Sequence, residues 1–378
     1  HNYLILAVPL FVLAAELMNN GSLSERLLNW CNAVVGRFRG GLAQVNVLQS
    51  IIFAGMSGSA IADAAGTGKM MTHLMIRDGK YPTPFAAALT ASSAVIGPII
   101  PPSIPMVLYA LVADASIGFL FLAGVLPGLL MGLSMMVLIA LTAKRRNFPV
   151  EEPTPLHELP LITWKSLPAL LMPVVLMVGI YGGVTTPTEA AAVAGFYALL
   201  ISMVLYRSIS VKSFYSSVLH SARSSASIGM LIAGALVFNY VVTAENIPRT
   251  LSVWLTAMEL SPITFLLLVN VILLVLGCAL EGTAIILIII PVFIPTAEAL
   301  GIDLVHFGVV AVVNCMIGLI TPPYGILLFI IKALNGIPLG EMIREIWLFV
   351  GVLIALLAVI TFFPDLSLWL PRVAGLLS

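Results

Sequence analysis

Charged side chains are scarce: they make up 9% of this 378-residue chain, against 60% hydrophobic residues and a mean hydropathy of +1.12. A soluble domain carries roughly a quarter charged residues to cover its water-facing surface. This chain has too few, so most of its outer surface must meet lipid. An excess of basic charge is also missing, because 17 Lys and Arg balance 17 Asp and Glu. That excludes nucleic acid as a partner, since nucleic acid needs a basic face. Cysteine is limited to Cys31, Cys278 and Cys315, far apart and without Cys-x-x-Cys or His/Cys spacing. They read as single buried thiols rather than a redox or metal centre. No Walker or Ser–His–Asp pattern is present, so nothing indicates an enzyme. No basic stretch precedes the first apolar run, residues 3–18, so that run is expected to be a membrane segment rather than a signal peptide. The chain starts His1-Asn2-Tyr3, and the run reads as an opening or truncated span, with an N-terminal segment of one further helix expected before it.

What is present in abundance is long apolar sequence, predicting an all-α polytopic membrane protein. Runs at 118–142, 167–182, 190–206, 225–242, 263–280 and 346–363 approach the ~20 residues that cross the bilayer core. The expected organisation is a scaffold helix and interfacial arm over 1–41 and a first repeat over 42–143. That repeat comprises a hairpin at 42–76, a broken helix at 84–113 and a following helix at 118–143. A cytoplasmic linker at 144–165 comes next, marked by Lys144, Arg145 and Arg146 directly after a span. Scaffold helices and a second arm over 166–224 lead to a second repeat over 225–378, with a hairpin at 263–300, a broken helix at 304–334 and a C-terminal helix at 345–363. Stretches 21–41, with Glu25, Arg26, Arg37 and Arg39, and 211–223 suit helices lying in the interface.

Four interruptions carry the functional reading: Gly55–Ser59, Gly97–Pro102, Glu281–Thr283 and Gly318–Pro323. Irregular backbone at membrane depth survives only when buried in protein or lining a polar cavity. Paired interruptions, one set per half, point to a transporter's binding site. A shift of 221 residues places Ile96, Gly97, Ile99, Pro101 and Pro102 on Ile317, Gly318, Ile320, Pro322 and Pro323, five identities in seven positions. Upstream, Gly58 and Gly282 precede the matching glycines by 39 and 36 residues.

Each interruption offers oxygens. In Gly55-Met56-Ser57-Gly58-Ser59, two hydroxyls and freed carbonyls suit a hard monovalent cation such as sodium; Ser59 as a helix N-cap, with Asp63 in the first turn, is a compatible structural reading. Asp63 is a carboxylate in an apolar stretch, expected to face the substrate cavity. Pro101 and Pro102 stop a helix and free the carbonyls of Gly97 and Pro98 for a cation. The helix resuming after Ser103 aims its positive end at the same place, a fit for a carboxylate. Thr283, Gly318 and Thr321 repeat the arrangement, and Asn314, one turn earlier, is placed to reach the cavity. Two copies imply two cation sites with substrate between them. Thr186-Pro187-Thr188-Glu189 reads as a capping box rather than an acidic site.

The stretches GMSGSAIADAAGTG, ASSAVIGPIIPPSIPMVLY, TPTEAAAVA and CMIGLITPPYG resemble the large membrane (M) subunit of tripartite ATP-independent periplasmic (TRAP) transporters over nearly the whole chain. The resemblance implies an ion-transporter-superfamily fold with inverted repeats, two re-entrant hairpins, two broken helices and elevator-type movement in the bacterial inner membrane. It implies a small membrane (Q) subunit, a periplasmic binding protein (P subunit) and two sodium sites. These map onto Ser57, Ser59 and Gly97, with the Pro98 carbonyl, and onto Thr283, Gly318 and Thr321. Substrate contacts are expected at Ser59, Asp63, Ser103 and Asn314. The implied substrates are carboxylates, sialic acid ahead of C4-dicarboxylates. A stand-alone sodium–dicarboxylate symporter of similar fold is the alternative. A channel fits less well, because opposed helix ends suit an occluding site better than an open pore.

Overall fold

Lipid offers the backbone no hydrogen-bond partner, so a chain of this composition pairs its N–H and C=O groups within helices. The computed structural model describes residues 6–20, 23–151, 154–155, 157–257 and 260–375. The start of the first apolar run at Tyr3 and the linker's Glu152 lie outside the described residues. In chain order the helices are α1 (Ala7–Asn20), α2 (Leu23–Val35), α3 (Gly41–Ser57), α4 (Ala60–Asp63), α5 (Lys69–Ile76), α6 (Thr83–Ala94), α7 (Ile104–Ala113), α8 (Ile117–Arg146), α9 (Leu159–Tyr181) and α10 (Pro187–Leu200). They continue as α11 (Val211–Ala244), α12 (Ile247–Ala257), α13 (Pro262–Gly277), α14 (Gly282–Ile288), α15 (Ile290–Ala299), α16 (Leu304–Gly318), α17 (Ile326–Asn335), α18 (Leu339–Phe362) and α19 (Asp365–Val373). One wide π-type turn, Ala64–Gly68, joins α4 to α5, and another, Ile201–Leu205, extends α10.

Among the described residues, α8, α9, α10 with its extension, α11 and α18 are each long and apolar enough to cross the bilayer alone. The chain is a multi-pass integral membrane protein. The run at 263–280 is not a full span, correcting one sequence expectation. Its helix, α13, has 16 residues, so it reaches roughly 24 Å and stops short of the ~30 Å hydrocarbon core. Two further expectations shift. The proposed second arm at 211–223 and the span at 225–242 form one 34-residue helix, α11. No glycine or proline lies between Val211 and Ile228 to end it. The linker narrows to residues 147–158, because Lys144, Arg145 and Arg146 complete the last turn of α8, where they complement the helix dipole. At the α10 start the capping box is in place: Thr186 Oγ1 accepts from Glu189 N–H at 3.3 Å, and Thr186 N–H donates to Glu189 Oε2 at 2.7 Å.

The two halves repeat in space. Shifting α6 by 221 residues gives 304–315, inside α16, and shifting α7 gives 325–334, one residue from α17. The contacts are exchanged between halves: α6 packs on α18 and α16 on α8, while α4 and the adjoining π turn touch α17, and α14 and α15 touch α7. Tyr109 of α7 fixes this crossing. Its hydroxyl donates to Leu304 O at 2.6 Å, and its ring fills the space left by Gly308 of α16.

Candidate functional site

The first hairpin turns at Gly58, which has a φ of 59° and follows the last residue of α3. Ser59 then caps α4, its Oγ accepting from Ala62 N–H at 3.3 Å. The tip seats in the break between α6 and α7: Ile104 N–H donates to Gly58 O at 3.4 Å, and a side chain at 58 would collide with the Pro102 carbonyl. The break itself is residues 95–103, with three prolines that contribute no N–H donor. The Pro101–Pro102 and Pro322–Pro323 bonds are both cis. Ser103 closes the break rather than facing a ligand. Its Oγ accepts from Met106 N–H at 3.1 Å and donates to the Pro98 carbonyl.

Behind the tip, Ser57 Oγ donates to Asp63 Oδ1. Asp63 is 1% exposed, and its Oδ2 has no hydrogen-bond partner among the described residues. Gly97 is what lets the carboxylate approach, since a Cβ there would run into Oδ2. Asp63 therefore belongs with Ser57 and Gly97, the residues expected to hold a cation. A buried carboxylate without a basic partner carries a cost of several kcal/mol unless a proton or a cation balances it. Hydroxyl and carboxylate oxygens are the donor set that suits a hard cation.

In the second repeat the chain turns over 278–281 and Glu281 caps α14, accepting from Thr283 N–H at 3.1 Å and from the Thr283 hydroxyl. The interruption thus falls a few residues before the expected Glu281–Thr283, because the Glu281 side chain starts the next helix immediately. Gly282 lies against Cys315 and Met316 at the end of α16. Gly318 is packed against Gly277, where a Cβ would lie 2.7 Å from the Gly277 Cα, a small-residue helix crossing. Thr321 Oγ1 donates to Ile317 O at 2.7 Å.

Both tips open on one cavity of about 600 Å³. Ser57, Ser59, Pro98, Glu281 and Thr283 line one side, together with Ile104 at the start of α7. The opposite side comes from α1 and α11 and presents Glu16, Asn19, His220, Ser224 and Ser227. Gly97, Gly318 and Thr321 lie behind the lining. So do three residues expected to touch substrate, which the structure places away from the lining. Asp63 is turned towards Gly97, Ser103 is consumed as a cap, and Asn314 is 0% exposed. Asn314 Nδ2 donates to Asn270 O and Oδ1 at 2.9 and 2.8 Å, and Asn270 in turn donates to Thr361 at 2.9 Å. Asn46 and Ser93 make the matching tie in the first repeat, at 2.9 Å. We expect Asn314→Ala to cost about 1–3 kcal/mol of stability, by leaving buried partners unsatisfied, with the substrate KM unchanged. Thermal unfolding and uptake kinetics check this.

Glu16 and the Glu281 carboxylate line the cavity without having been among the residues expected there. Both carried the signal used for Asp63, an acid inside an apolar run. For His220 no comparable signal exists, because its place on the cavity depends on α11 being continuous.

The family described as "Tripartite ATP-independent periplasmic transporter, DctM component" matches residues 1–366. The C4-dicarboxylate TRAP transporter large permease protein DctM of Pseudomonas aeruginosa is 42% identical over 375 residues, covering 99% of this chain and 88% of that protein. The sialic acid TRAP transporter large permease protein SiaM of Vibrio cholerae is 40% identical, covering 98% and 87%. The 2,3-diketo-L-gulonate TRAP transporter large permease protein YiaN of Escherichia coli is 37% identical, covering 97% and 86%. Among solved structures, the YdaH transporter of Alcanivorax borkumensis superposes with a TM-score of 0.69 over 98% of this chain and 85% of that one, at 16% identity, a likeness of fold. These relatives are transporter permeases and not enzymes. With its motifs, its repeated interruptions and a family match over nearly its full length, this chain belongs to the DctM component family of tripartite ATP-independent periplasmic transporters.

Proposed function

We propose that this protein imports an organic acid across the bacterial inner membrane, with sodium as the co-transported cation, by an elevator movement of the two hairpins and broken helices. The observation that carries the reading is Asp63: a carboxylate 1% exposed, held by Ser57, with one oxygen unpartnered beside Gly97. Such a group calls for a cation, and sodium binding and release at this point would couple ion to substrate. Glu281 and Thr283, with Gly318 and Thr321 behind them, offer a second oxygen-rich place in the other repeat. The start of α7, at Ile104 and Pro105, lines the cavity between them and directs its positive dipole end towards an anion. The cavity's position between the tips and α1/α11 supports movement of the former against the latter.

Relatives carry the names of carboxylate transporters, which supports an acid as substrate, sialic acid among them. Their designation as large permeases of TRAP systems supports a small membrane subunit and a periplasmic binding protein as partners. The basic end of α8 supports placing that end in the cytoplasm.

The test is uptake of a panel of labelled organic acids into proteoliposomes, with and without a sodium gradient and the binding protein. Uptake is expected only with both. Sodium-driven uptake without the soluble partner points instead to a stand-alone symporter, and uptake indifferent to sodium defeats the coupling. In the same assay, Ser57→Ala and Thr283→Ala are each expected to raise the sodium concentration for half-maximal uptake by about tenfold, the loss of one charge-assisted contact of about 1.5 kcal/mol. Folded yield is expected to stay near wild type. An unchanged sodium dependence in both removes those hydroxyls from the sites.

A further inference from the structure

Ion coupling does not explain the far side of the cavity. It is built from α1 and α11, which pack against each other, and Glu16 of α1 meets His220 of α11 there with Oε1 and Nε2 3.5 Å apart. Glu16 is the deeper partner, with 20% side-chain exposure against 65% for His220. One turn along α1, Asn19 Oδ1 is buried without a hydrogen-bond partner and is directed at Gly66, which also lines the cavity. Ser224 and Ser227 continue the same face of α11.

The two sides therefore differ in chemistry. The hairpin side offers hydroxyls and the amino end of α7, a setting for a substrate carboxylate, and its one carboxylate among the described lining residues, Glu281, is engaged as the cap of α14 by the Thr283 N–H and hydroxyl. The far side offers acceptors, the Glu16 carboxylate foremost, and His220 is the one basic side chain among the described lining residues. Acceptor oxygens pair with hydroxyl or N–H groups on a ligand. A second carboxylate placed there would meet the Glu16 charge in a confined space, and like-charge juxtaposition is an effective means of rejecting a competitor.

We propose that Glu16, positioned by His220, is a specificity-determining residue of the substrate site, selecting a hydroxylated monocarboxylate over a dicarboxylate. This rests on the organic-acid reading above and narrows it; relatives of both substrate classes match the chain about equally well, so overall similarity does not decide between them.

The experiment is equilibrium binding to the purified full chain with its membrane partner in lipid nanodiscs, at saturating sodium. The probes are radiolabelled gluconate, glucuronate and N-acetylneuraminate as hydroxylated monocarboxylates, and succinate and fumarate as plain dicarboxylates. The wild type is expected to bind at least one of the former at least tenfold more tightly than either of the latter, which corresponds to about 1.4 kcal/mol. Glu16→Gln is expected to bring that ratio close to one, weakening the hydroxylated acid and strengthening succinate. Glu16→Asp, which keeps the charge, is expected to preserve the preference, and His220→Gln to reduce it partially. Thermal midpoints of the same samples separate these effects from misfolding, and should Glu16→Gln fail to fold, the His220→Gln ratio decides. A wild-type preference for dicarboxylates, or an unaltered ratio in Glu16→Gln, overturns the proposal. Binding of neither class, with sodium still raising the thermal midpoint, overturns it too while the sodium reading stands. Selective acid binding without any response to sodium has the opposite meaning: the specificity holds and the coupling fails.

Discussion

Asp63→Asn is expected to insert and fold, and uptake driven by a sodium gradient is expected to fall by roughly a hundred- to a thousandfold. A unit cation about 4 Å from a carboxylate gains about 4 kcal/mol at an effective dielectric of about 20, and a factor of ten in affinity corresponds to about 1.4 kcal/mol. Asparagine keeps the shape and still accepts a hydrogen bond from Ser57, so the contact seen at Oδ1 survives. What disappears is the charge on an oxygen that nothing else in the described structure satisfies. Because a buried unpaired charge destabilises the fold, the variant is expected to match or exceed the wild-type thermal midpoint in sodium-free buffer. Uptake and unfolding measured on the same preparation check the pair of outcomes. Full transport by Asp63→Asn would confine Asp63 to a structural role.

The second large effect is expected at the first hairpin tip. Gly58→Ala places a methyl on a residue with φ 59° and drives it against the Pro102 carbonyl. The left-handed backbone costs a non-glycine residue about 1 kcal/mol, and the overpacking about 1–3 kcal/mol more. The chain can relieve the collision only by withdrawing the tip from the break between α6 and α7, which also removes the Ile104 N–H contact to Gly58 O. Since Ser57 and Ser59 flank this residue and line the cavity, uptake is expected to collapse along with a measurable drop in the thermal midpoint. Gly336→Ala is the control. It too has positive φ, 69°, but nothing lies within 4 Å of a Cβ there, so it is expected to carry the backbone cost alone and leave transport largely intact.

The interruptions were legible in the sequence because they depend on residues with few conformational options. Pro98, Pro101 and Pro102 end α6 wherever they sit, and Gly58 turns where other residues resist turning. The repeat was legible for the same reason, since matched prolines and glycines keep register through chain that is otherwise interchangeable leucine, isoleucine and valine. Side-chain direction was not legible. Asn314 sits one turn before Gly318 and was expected in the cavity, yet the packing of α16 on α13 turns it to Asn270. Ser103 offered a hydroxyl at a promising place, but a helix beginning at Ile104 needs that hydroxyl as its cap. Asp63 was expected to meet substrate and faces Gly97 instead, a choice made by tertiary contact between hairpin and broken helix. Glu16 and His220 come together only once α1 and α11 are packed, across some two hundred residues of chain, and no local pattern announces that meeting.

Titration of the purified protein with sodium chloride, at constant ionic strength made up with potassium chloride, tests the proposed pair of cation sites most directly, because it needs no knowledge of the substrate. Selective binding to the folded state raises the thermal midpoint by an amount that grows with sodium concentration, as RT ln(1 + [L]/Kd) requires. The expected result is a sodium-specific rise in the wild type, much reduced in Asp63→Asn and in Thr283→Ala. Identical midpoints in sodium and potassium across the titration would contradict the claim that the paired interruptions enclose sodium.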